Sequence, residues 1–133
     1  MTNIDNTVAT VATVNNVTAV VATEVNGLSV VNLNKHDIVL ATPTGDIVFP
    51  PSGLVATVSV KQVQVDTIGE IPVMGNEYGE VMNLPSPQDG VVFLVNALVL
   101  ARVVGRQDCV APDTGPSAIR ESGQVKKVVR FVR

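Results

Sequence analysis

Leu54–Val65 reads LVATVSVKQVQV and alternates apolar with polar residues over most of its length. Successive side chains on a strand point to opposite faces, so a period of two marks a strand with one covered face. This is the clearest half-buried strand in the chain, and it sets the reading of the segments on either side. The apolar residues are mostly Val, a β-branched residue that is stiff at χ1 and packs well on a pleated surface. Residues 133 in number suit one domain with a real core.

Outward from that strand, Ser29–Leu33 (SVVNL), Asp37–Ala41 (DIVLA) and Asp46–Phe49 (DIVF) read as strands. Thr42-Pro43-Thr44-Gly45 turns the second into the third, and Pro50-Pro51-Ser52-Gly53 ends that hairpin. Glu70–Met74 (EIPVM) is short and holds Pro72, so it belongs at a sheet edge. Val91–Val95 (VVFLV) is apolar throughout, as a strand buried on both faces should be. Asn96 can cap a helix over 97–104 (ALVLARVV), with Gly105 as its terminator. That helix is apolar nearly all round and is expected to be buried. Residues 105–123 are polar and punctuated by Gly and Pro, and Gln124–Val132 (QVKKVVRFV) closes the chain as a strand. The expected fold is α+β, mainly antiparallel β, with one short buried helix near 97–104.

Residues 1–27 stand apart. Thr7, Thr10 and Thr13 recur every third residue, as do Val8, Val11, Val14, Val17 and Val20. Period three fits neither strand nor helix cleanly. A strand pair turning at Asn15-Asn16, a helix with a Val stripe, and an arm ordering on a neighbouring subunit all remain open, with strand or arm favoured. Asn26-Gly27 is a strong turn signal. The organisation expected is a Thr/Val-rich arm or extra strands over 1–27 and a β-rich core over 28–133.

A formal net charge of −3 argues against nucleic-acid binding, which draws on many Lys and Arg contacts to phosphate. The charge is uneven. Residues 66–89 hold five acids (Asp66, Glu70, Glu77, Glu80, Asp89) and no base, whereas residues 120–133 hold five bases and only Glu121 as an acid. Such segments pair with each other or with a neighbouring subunit, or form a basic rim for an anion. One cysteine, Cys109, excludes an intramolecular disulfide and suits a reducing compartment. With no signal-peptide pattern and no apolar run of membrane-spanning length, a cytoplasmic protein is expected, without a membrane partner.

Standard catalytic equipment is missing. His36 is the sole histidine, no GxSxG elbow is present, and nothing in the sequence near Cys109 would activate its thiol. One His and one Cys cannot build a structural zinc site, and no Gly-rich phosphate loop occurs. No cofactor is expected. The densest polar stretch is Gly105–Arg120, where Arg forks, hydroxyls and carboxylates lie between turn residues. The candidate ligand-binding residues are His36, Arg102, Arg106, Asp108, Thr114, Ser117 and Arg120. The same residues would equally serve as an internal Arg–Asp network, and Arg102, within an apolar helix, should either pair or line a pocket.

The order Val31–Val39 (VNLNKHDIV), Pro50–Gly53 (PPSG), Gly79–Val81, Leu84–Gly90 (LPSPQDG), Gly105–Asp108 (GRQD) and Val110–Asp113 (VAPD) resembles a family of small uncharacterised phage and prophage proteins with a VNLTPH-like strand. The resemblance covers residues 28–133. Here Asn34-Lys35 stand where the family has Thr-Pro before the histidine. It implies a phage accessory protein that binds a small molecule or a host protein, or that forms part of a virion. The leading expectation is counter-defence by sequestering a small anionic ligand, such as a nucleotide immune signal, without chemistry. The partner would be that ligand or a host defence protein, in the host cytosol, with the chain forming a homo-oligomer. The alternative is a structural or virion protein with an N-terminal assembly arm.

Overall fold

The computed structural model describes residues 7–14 and 17–133, with side chains from residue 20 onward. The architecture is β-rich with one short helix. Strands β1 (Thr7–Val14), β2 (Val17–Val25), β3 (Leu28–Asn32), β8 (Val91–Leu94), β9 (Cys109–Pro112) and β12 (Phe131–Val132) form one sheet in that spatial order. Three two-stranded ribbons accompany it: β4 (Ile38–Thr42) with β5 (Gly45–Phe49), β6 (Thr57–Ile68) with β7 (Ile71–Met82), and β10 (Ile119–Glu121) with β11 (Gln124–Lys127). Most pairings are antiparallel, but β3, β8 and β9 run parallel at the centre of the main sheet.

That centre explains why Val91–Val95 is apolar on both sides. Val31, Phe93 and Cys109 stand abreast across the three strands and face one core. One step along, Leu94 and Val110 stand abreast and face the other. Ala56, Val99 of the helix, and the half-buried Val58, Val81 and Leu84 cover the first face. Ile38, Ile47, Phe49 and Val128 cover the second, where Phe49 meets Phe131 edge-on at 5.7 Å. Both faces of the parallel strands are therefore out of water, as such strands require.

Residues 17–25 belong to this sheet. β2 pairs with β3 through Thr23↔Val30, and Val20 and Ala22 lie in the first core. The turn between them is Asn26-Gly27, both at positive φ (50° and 88°), which is the backbone of a type I′ hairpin. β1 pairs with β2 over Thr7↔Val25 to Val14↔Val17, while the expected turn residues Asn15-Asn16 lie outside the described residues.

Three expectations change. The helix α1 spans Ala97–Arg102 rather than 97–104, and it is not buried: only Val99 is fully covered. It packs against β9 and the base of β6 through Val99, with Leu100 and Val103 half-covered beside it, because a helix of under two turns has few positions that can face inward. Asn96 does cap it, its Oδ1 accepting from Val99 N at 2.9 Å. The closing strand is split. β11 pairs with β10 and β12 pairs with β9, so Val128–Arg130 form the step between two sheets.

The third difference lies in the strand expected over Leu54–Val65. Thr57–Ile68 alternates, but most of it is not half-buried. Its partner β7 is far longer than Glu70–Met74, running on through Gly75, Asn76 and Gly79. The base of the ribbon packs on the first core through Val58 and Val81. Outward of that, none of residues 59–80 joins either core cluster, and Val60, Val65, Ile68, Ile71, Met74 and Tyr78 are exposed. Twelve residues per strand give a ribbon of about 40 Å. No helix among the described residues is long and apolar enough to cross a membrane.

Candidate functional site

The polar chemistry of the molecule is built on two buried asparagines. Asn32 ends β3 pointing into the second core, where an unpaired amide would be costly. Its Nδ2 donates to the carbonyls of His36 (2.9 Å) and Phe49 (2.8 Å). Its Oδ1 accepts from Asn34 N (2.9 Å) and Asn34 Nδ2 (3.0 Å). Asn34 Nδ2 also reaches the Leu94 carbonyl at 3.3 Å. The loop 33–37 is thereby fastened to β5 and β8, and His36 is held at a defined place on the surface.

That place is one wall of an open groove of about 230 Å³. Loop 33–37, the start of β4, the N-terminal end of α1, the end of β9 and strand β11 surround it. Ile38, Val39, Ala97, Pro112, Val125 and Val128 supply its apolar lining, and Asn34, His36, Asp37, Asn96, Thr114, Lys126 and Lys127 its polar groups. Lys127 is tied by its Nζ to Asp46 at 2.7 Å, whereas Lys126 forms no ion pair among the described residues. An apolar groove with a few convergent polar groups is the usual form of a small-molecule site.

Of the seven residues singled out in the sequence, His36 and Thr114 meet in this groove. The others do not join them. Arg106 forms a two-point clasp on Asp108, Nε to Oδ1 and Nη2 to Oδ2 at 2.8 Å each, and Nη2 also donates to the Pro85 carbonyl at 2.9 Å. The guanidinium holds the Asp108 carboxyl below the usual carboxylate range, and the carboxylate in turn raises Arg106. This clasp pins the LPSPQDG loop to the start of β9, and Arg106 lines a separate cavity of about 380 Å³ beside α1. Ser117 Oγ donates to Asp113 Oδ2 at 3.3 Å, and Arg130 Nε donates to the same oxygen at 2.6 Å. Arg120 donates to the carbonyls of Thr114 and Gly115. The 105–120 stretch thus spends most of its polar groups on its own loops. Arg102 is exposed in the last turn of α1, where a cation suits the helix dipole.

Lys126, Lys127, Asn34 and Asn96 were not among the candidate ligand-binding residues. The only signal was the basic run 120–133, which does not say which bases face which groove. Chemistry of the covalent kind finds little support in the groove. Cys109 is buried in β9, and burial pushes its thiol up. Among the described residues no group of three His, Cys, Asp or Glu is placed to hold a metal ion.

Comparison with protein-family models, with curated proteins and with solved structures finds no match to this chain.

Proposed function

We propose that the protein is a phage accessory protein that binds and sequesters a small anionic ligand, of the nucleotide immune-signal kind, in the groove beside His36. The observation that supports this reading is the meeting of His36, Thr114 and Lys126 around an apolar lining. A flat apolar moiety such as a base suits Ile38, Val39, Pro112 and Val125, while Lys126 and the hydroxyl of Thr114 suit an anionic group. Asp37 at the same rim disfavours a ligand carrying charge all round and favours one with a charged end and an apolar end. The loop under His36 is rigid because Asn32 saturates it, so little ordering would be lost on binding.

Thermal stability measured with cyclic dinucleotides and ADP-ribose-type signals tests this. A ligand that binds the folded state raises the midpoint, and above its Kd the rise grows with the logarithm of its concentration. Lys126→Ala should remove that rise, and the ligand should be recovered unchanged after denaturation. A product of altered mass would remove the sequestering reading, and no stabilisation by any such ligand would remove the site. The exposed apolar ribbon β6–β7 favours a second reading, a structural or virion protein that works through assembly.

A further inference from the structure

We infer that the β6–β7 ribbon is an assembly arm, and that its tip docks on a second copy of this chain, in the cavity between α1 and the C-terminus. The inference does not rest on the ligand reading. An isolated two-stranded ribbon is marginal in water, and three strands or a packing partner are normally needed. Here the outer part of both strands has no such partner among the described residues. Its apolar residues divide between two faces, Val60, Met74 and Tyr78 on one and those nearest the tip on the other. Register places Ile68 opposite Ile71 at the tip and Asp66 opposite Val73, with Val63 opposite Gly75 on the same side. A Cβ on Gly75 would press on Val65, so the missing side chain lets Val65 lie over the ribbon. Gly69 (φ 62°) closes the tip in a two-residue turn with Glu70.

Charge identifies the occupant. The ribbon carries Asp66, Glu70, Glu77 and Glu80 against Lys61 alone, and none of these acids is ion-paired among the described residues. The tip is therefore two isoleucines bracketed by Asp66 and Glu70. The cavity beside α1 has the opposite character. Leu100, Val103 and Val104 line it, Val104 being 93% exposed, and Arg133 lies at its rim. Arg102 does not line the cavity but is exposed on α1 between Ala101 and Val103, which do, and, like Arg133, it has no ion-pair partner among the described residues. Apolar tip meets apolar cavity, and two acids meet two bases. The patch on one copy differs from the patch it meets, so the contact closes by reciprocal exchange in a dimer or round a ring, or runs on as an open filament. The assembly role then falls to residues 57–82 rather than to residues 1–27, whose second strand is part of the main sheet.

The test is sedimentation of the full chain across the micromolar range. The wild type should self-associate. Asp66→Lys with Glu70→Lys should weaken association about tenfold or more, and so should Arg102→Glu with Arg133→Glu. Mixed in equal amounts, the two double variants should associate again, because each reversed tip then meets a reversed cavity. Ile68→Ser with Ile71→Ser should abolish association and leave the diluted protein folded. A wild type that stays monomeric throughout overturns the inference and leaves the ribbon to another molecule. Association indifferent to the tip, or a mixture that fails to recover, overturns it too. Lys126→Ala separates this from the ligand reading: it should leave association intact, and the tip variants should leave ligand stabilisation intact.

Discussion

The strands β8 and β6 are both rich in valine and both open on residues that read as core, yet they end in opposite environments. β8 sits between two parallel neighbours with Phe93 and Leu94 completely buried on its two sides. β6 has one antiparallel neighbour and leaves Val60 and Val65 half or more exposed. Alternation in a sequence reports which side chains share a face. It does not report whether anything covers that face. In β8 the cover comes from elements far away in the chain: α1 and residues 54–58 on one side, the β4–β5 hairpin and Val128 on the other. On the outer part of β6 no described core residue supplies it.

The sharpest way to break this comparison is Phe93→Ala. Deleting a fully buried aromatic from a packed core costs about 4 kcal/mol, so urea unfolding should shift strongly, and amides of β8 should exchange last in the wild type. Asn32→Ala comes next, at about 3 kcal/mol, because it leaves the His36 and Phe49 carbonyls and the Asn34 amide without their partner. If that variant is as stable as the wild type, the asparagine does not hold the loop. Arg106→Ala should cost about 2 kcal/mol, through the loss of charge-assisted bonds to Asp108 and Pro85.

The same clasp gives a pH dependence. The Asp108 carboxyl is depressed by its bond to Arg106, so its contribution is present above the ordinary carboxylate pKa. It is lost as pH falls through the depressed value. Acid unfolding of Asp108→Asn should therefore be flatter than that of the wild type below about pH 4. The smallest effect belongs to the ribbon. Ile71→Ser, studied at a dilution where the chain is a monomer, should change stability by less than about 0.5 kcal/mol, since the side chain is exposed. A large loss there would mean that the ribbon packs on its own domain.

The candidate site was legible in part. His36 and Thr114 drew notice by residue type and fell into one groove. Arg106, Asp108, Ser117 and Arg120 drew notice by the same criterion and bond elsewhere in the chain: Arg106 to Asp108 and the Pro85 carbonyl, Ser117 to Asp113, and Arg120 to the carbonyls of Thr114 and Gly115. An Arg fork fits a backbone carbonyl and a carboxylate of its own chain as well as it fits a ligand, so type alone could not separate the two uses. Lys126 was hidden within a basic run, because which base of a strand faces a groove depends on the register of β11 against β10 and on the neighbour below.

The sequence by itself determined the local features: β strands by period-two patterning and β-branched content, the Asn26-Gly27 turn by its tolerance of positive φ, and the start of α1 by the Asn96 cap. These depend on a few consecutive residues and on steric rules that act within them. The tertiary structure alone decided the parallel union of β3, β8 and β9, the surface position of α1, the polar lock at Asn32 and the projection of β6–β7. Each of these turns on what a distant segment places against a given face. Burial is a property of the pair of surfaces, and one sequence window contains only one of them.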